Sequence, residues 1–177
     1  ATTADDNIAI GYLAGFSNTT GGQSVVMGAQ ANYSSTTNGS NVIIGYFAGR
    51  LGNNSGVTAV GWSALNANTA AYSVAVGYGA LQSNTSAVQN TAVGSGSLTT
   101  NTTGGSNAAF GYNAMYSNTT AADNTAVGSS AFYSNTTGAQ NTAIGKDALY
   151  NNTVGSGVTA IGYRALYLGT NLGGCVA

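Results

Sequence analysis

The chain has 177 residues, of which 43% are hydrophobic and only 4% are charged: four Asp, one Lys and two Arg, for a net charge of −1. An average soluble protein carries about 25% charged residues. With no His anywhere, Ser-His-Asp and Cys-His relays and His-ligated metals are excluded, and three cations are too few to cover a nucleic-acid backbone.

Taken from the N-terminus, Ala1 to Asn7 shows neither the basic nor the apolar region of a signal sequence, although one could already have been removed. No later stretch reaches the about 18 apolar residues of a membrane span, so no membrane insertion is expected. From there one Gly recurs: Gly11, Gly28, Gly45, Gly61, Gly77, Gly94, Gly111, Gly128, Gly145 and Gly162. The step is 17 residues, shortened to 16 after Gly45 and Gly61. The copies cover about residues 7–170 and leave no room for a second domain, so 1–177 reads as a single repeat domain. Cys175, the single cysteine, has no partner for an internal disulfide and leaves the compartment open.

Each column of the repeat has its own chemistry. The residue before the Gly is always bulky and apolar, as in Val93, Val127 and Ile144, and two before it is usually Ala, as in Ala126. Three after is Ala, except for Ser97, and four after is mostly Leu, Met or Phe, as in Leu98, Phe132 and Leu149. Seven after is mostly Asn, including Asn118 and Asn135, and eight after is Thr except for Asn53.

A 17-residue unit is too short for a helical hairpin repeat. The N-x-A-V-G segment is β-branched and extended, and Asn-Thr-Thr-Gly supplies turns. The predicted fold is therefore all-β: a parallel β-solenoid, or β-roll, of about ten coils. Columns stack at about 4.8 Å, giving a rod roughly 45 Å long. The residue lost in the two short copies falls between the Asn-Thr turn and the next strand, where register is not disturbed. Gly94, Gly111, Gly128 and Gly145 mark a turn, at positive φ or against a neighbouring backbone. Asn118 and Asn135 fit either an internal amide ladder or an αL corner. Val127, Ile144 and Leu149 are assigned to the stacked core.

Adjacent apolar pairs such as Ala126-Val127 and Ala131-Phe132 cannot both point inward from an extended chain. Either one of each pair faces a partner chain, as in a parallel homotrimer, or a sharp corner at the Gly turns both inward. On the first reading Val127 lies in the coil and Ala126 at the interface. The ends carry little capping, which points to a section of a longer protein or to end-to-end stacking.

The pattern N-T-A-[VI]-G-x-x-A-[LF]-Y-x-N-T-T-G resembles the repeat tracts of bacteriophage tail fibres and bacterial surface proteins. It is also similar to the N-x-x-A-I-G repeats of trimeric autotransporter adhesin heads, whose unit is usually shorter, at 14 residues. The resemblance covers residues 7–170. It implies a non-catalytic, homotrimeric fibre segment outside the cell, on a virion tail or a bacterial surface, with weak attachment to host glycans.

The remaining columns offer alternatives. Ten of the 11 Tyr fall one or five residues after the Gly. Tyr116, Tyr133, Tyr150 and Tyr167 form either a glycan-binding strip or a structural ladder. The Thr column admits an ice-binding reading, although its residues lie in a turn. The N-x-[ST] sites recur only because the repeat does. Asp147 and Arg164 share a column in successive coils and are expected to be neighbours. No calcium-binding repeat and no Walker or dinucleotide fingerprint occurs, so no cofactor is expected.

Overall fold

The computed structural model describes residues 5–37 and 39–177. The first four residues of the Ala1–Asn7 segment therefore lie outside the described residues, as does Asn38. Among the described residues, ten three-residue strands run from β1 (Ile8–Ile10) through β2 (Val25–Met27), β3 (Val42–Ile44), β4 (Thr58–Val60), β5 (Val74–Val76), β6 (Thr91–Val93), β7 (Ala108–Phe110), β8 (Thr125–Val127) and β9 (Thr142–Ile144) to β10 (Thr159–Ile161). They form one sheet in sequence order, and every observed pairing is parallel. The result is a β-solenoid of about nine turns. The pairs Ile44↔Val60 and Val60↔Val76 span the two shortened copies without a slip, so the deletion is absorbed in the loop.

Four positions per coil hold positive φ, and these shape the turn. The recurring Gly sits at φ 125–140 in all ten copies, a region closed to L side chains. A Cβ on Gly128 would stand 2.6 Å from the carbonyl of Gly145 in the next coil. Both reasons offered for the Gly column therefore hold together. The other three positions, two and four after the Gly and five before it, are left-handed. They are filled by residues as unlike as Gln30, Asp147, Phe132 and Leu149, at φ 53–57, and Asp123, at φ 60. Left-handed backbone costs a non-Gly residue roughly 1 kcal/mol or more, so inter-coil bonding has to hold it there. The amide of Phe132 donates to Ala148 O in the following coil at 2.8 Å, and that of Asn113 donates to Ser95 O in the preceding one at 2.9 Å. Such bonds continue around the coil, well beyond the named strands.

The core is one narrow column. Ala126 and its equivalents face Ala131 and its equivalents, and one large side chain per coil fills the space between them: Leu65, Leu81, Leu98, Met115, Phe132 or Leu149. Where the third coil has Gly49 in that place, Ile43 replaces the usual Ala opposite; a Cβ on Gly49 would meet Ile43 Cδ1 at 3.0 Å. The filling has moved from one wall to the other, which keeps the interior dense.

Two assignments of apolar residues change. Ala131 and Phe132 are both fully buried; the left-handed turn at Phe132 swings both side chains inward, so this pair calls for no second environment. In the strand, alternation does hold, but with the opposite polarity to that expected. Ala126 is 0% exposed and belongs to the core, whereas Val127 is 38% exposed and Ile144 is also 38% exposed. A bulky residue does not fit on that wall once Phe132 or Leu149 occupies the centre, so the small residue turns in and the large one out. Leu149 is in the core as expected.

Candidate functional site

Inside the coil, the Asn column forms the amide ladder and leaves the αL corner to other residues. Asn118 Nδ2 donates to Asn101 Oδ1 at 2.9 Å, and Asn135 Nδ2 donates to Asn118 Oδ1 at 2.7 Å. The ladder extends back through Asn84 and Asn68 to Asn54, two residues later in its own copy than the column predicts. A second buried ladder lies four residues before the Gly: the amides of Asn107, Asn124 and Asn141 accept successive backbone N–H groups and donate to loop carbonyls. Its signal in the sequence is the Asn that recurs directly before the strand, as in Asn124 and Asn141 of N-T-A. Both ladders satisfy polar groups that a narrow coil cannot bring to water.

The Thr column is likewise used internally. The hydroxyls of Thr85, Thr102, Thr119, Thr136 and Thr153 each donate to the carbonyl of the Thr, or its equivalent, one coil on, at 3.0–3.1 Å. Their protons are therefore not free to organise external water.

Outside the coil, two surfaces stand out. The first is the outer face of the sheet. The column of Ile10, Met27, Ile44, Val60, Val76, Val93, Phe110, Val127, Ile144 and Ile161 runs its full length, with none of the ten buried. Beside it lies the column from Ile8 to Thr159, which mixes Val, Thr and Ala. In-register pairing keeps this face continuous.

The second surface is aromatic. Tyr116, Tyr133 and Tyr150 stack with centroids 5.4 and 5.0 Å apart and planes within 5° of parallel, and Tyr167 follows at 5.3 Å with a tilt of 32°. Ring faces within this ladder are covered by one another, so the strip offers edges and hydroxyls rather than the faces a sugar would use. Burial, then the neighbouring Tyr133, Tyr167 and Asp147, push the Tyr150 phenol above its ordinary range. Arg164 caps the ladder with its guanidinium 5.0 Å from the Tyr167 ring and pairs with Asp147 at 3.5 Å. The expected neighbours thus meet at the surface, where such a pair contributes about 0–1 kcal/mol. In the column after the Gly, Trp62 stacks on Tyr78 at 4.6 Å. Past that pair the column is interrupted by Ser95, before Tyr112. A cavity of about 460 Å³ opens at this interruption, lined by Tyr78, Gln82, Ser95, Thr99, Asn113 and Tyr116 among others.

Among the described residues, no group of three His, Cys, Asp or Glu comes together. No family model, no curated protein and no solved structure matches the chain.

Proposed function

We propose that this chain is a non-catalytic rod segment that assembles with copies of itself, as a parallel homotrimer, in an extracellular fibre of a phage tail or a bacterial surface. The observation that carries the reading is the unbroken apolar column on the outer sheet face. Ten in-register strands make it about 45 Å long. Monomeric soluble proteins seldom leave a continuous apolar patch of that extent in water. Closed symmetric assembly is the common way to cover such a patch, and parallel rods packed around a shared axis bring identical columns together. The resemblance of the repeat to fibre and adhesin tracts points the same way.

The rod itself is additive. Every coil repeats the same ladders, core and backbone bonds, so length follows repeat number and stiffness follows from the perimeter of hydrogen bonds. Scarcity of charge and absence of Pro leave the ladders uninterrupted.

Light scattering over a range of concentrations tests the reading. A mass of three chains is expected. A monomer at every concentration refutes the assembly and leaves the outer face to water or a ligand, which is where an ice- or carbohydrate-binding solenoid would have to act.

A further inference from the structure

We propose that the notch at Ser95 is a binding site for one pyranose ring of a neutral oligosaccharide, held between Tyr78 and Tyr112. It adds a defined ligand site to the rod and depends on the rod only for the geometry of the coils.

The notch exists because three columns lose their side chains or rings in adjacent coils. The position after the Gly is Tyr in the coils above and below but Ser95 in the middle one. Two after the Gly, Gly79 and Gly96 stand where the flanking coils carry Ser63 and Asn113. Five after it, Thr99 precedes the Tyr116 ladder. The Trp62–Tyr78 stack and the Tyr116–Tyr133 stack both end here, each with one ring face turned to the notch. Trp62 covers one face of Tyr78, and the other looks across Ser95 towards Tyr112. Tyr133 covers one face of Tyr116, and the coil on its other side supplies only Thr99. Tyr78 and Tyr112 stand two coils apart, which is about 9.6 Å. One ring-sized group between them lies about 4.8 Å from each face, within the about 4.5–7 Å range of ring stacking.

The polar lining selects the chemistry. The side-chain amides of Gln82 and Asn113 line the cavity and make no hydrogen bond to another described residue. Ser95 adds a hydroxyl, while the Thr99 hydroxyl donates to Gly79 O at 3.1 Å and remains able to accept. This is a mixture of donors and acceptors around apolar ring faces. A sugar ring presents C–H groups to the faces and hydroxyls to the amides, whereas a purely apolar ligand would leave both amides desolvated and unpaired. No charged residue occurs between Arg50 and Asp123, so nothing in these coils compensates an anion or a cation.

The test uses the full chain, with cellotetraose, maltotetraose and chitotetraose as neutral probes and a sialylated trisaccharide as the anionic one. Binding is followed by saturation-transfer NMR and titration calorimetry. At least one neutral tetrasaccharide should bind, and Ser95→Tyr should weaken it at least tenfold. That substitution places a ring between Tyr78 and Tyr112 at the spacing of Trp62 on Tyr78, so the coil remains intact and an unchanged thermal melt verifies it. Tyr112→Ala, at an exposed side chain, should give a similar loss. No neutral probe binding to the wild type, binding unaffected by Ser95→Tyr, or equal affinity for the anionic sugar would overturn the assignment. Solution mass, read on the same samples, reports separately on self-assembly.

Discussion

Asn118→Ala probes the amide ladder at its centre. The Asn118 side chain is fully buried. It donates to Asn101 Oδ1 at 2.9 Å and Ala121 O at 3.1 Å, and accepts from Asn135 Nδ2 at 2.7 Å. Ala121 O keeps its second donor, Asn107 Nδ2. Asn101 Oδ1 and one Asn135 N–H have no replacement and become unpaired inside the coil. Each such group costs about 1–3 kcal/mol, so the pair should cost about 4 kcal/mol. For a chain of this length that is a fall in Tm of roughly 8–16 °C, read by circular dichroism. Asn66→Ala is the control, because Asn66 is half-buried and donates only to Ser63 Oγ at 3.3 Å; its shift should stay within about 2 °C. Equal shifts for the two variants would show that the ladder carries no special stability. Asn118→Asp adds a pH arm. Protonated, the carboxyl both accepts from Asn135 and donates to Asn101, and the ladder is rebuilt. Ionised, it is a buried charge facing another acceptor. Burial raises its folded pKa above the unfolded value of about 3.9. Its stability is thus fully present below about pH 4 and lost as pH rises through the folded pKa. The variant should melt higher at pH 3 than at pH 7; a melt independent of pH would contradict this.

The two strand faces separate by mutation. Val127→Asp should leave the melt of an isolated rod within a few degrees of wild type but reduce the solution mass, whereas Ala126→Arg should prevent folding because it buries a charge without a partner; the reverse pattern would invert the strand assignment. Gly128→Ala should abolish soluble protein through its collision with the Gly145 carbonyl and its φ of 135. Gly15→Ala, at φ 61 with only Ala9 Cβ 4.0 Å away, should cost about 1 kcal/mol; comparable losses at the two positions would show that close coil approach is not what selects Gly. Because burial and then the neighbouring Tyr133, Tyr167 and Asp147 raise the Tyr150 phenol above its ordinary value, stability should hold up to the unfolded phenol's range, about pH 10, and then fall as pH rises through the folded pKa. Tyr150→Phe should blunt that fall in an alkaline melting series, and an unchanged alkaline limb would remove Tyr150 as a cause.

The parallel solenoid, its coil boundaries and its register were legible in the repeat alone. Identical residues every 16 or 17 positions must see identical surroundings, and only stacked coils provide them. The site of the missing residue, the positive φ of the Gly column, the Asp147–Arg164 contact and Leu149 in the core all follow from that spacing. Two things were not legible. The direction of Ala126 and Val127 depends on how much room the coil leaves after Phe132 or Leu149 is placed. That room is set by left-handed backbone at residues with no left-handed preference, held by bonds to neighbouring coils. The notch at Ser95 was hidden for a related reason. It consists of what three columns lack in adjacent coils, and only the stacking of the coils sets Ser95, Gly79, Gly96 and Thr99 beside Tyr78, Tyr112, Tyr116 and Tyr133.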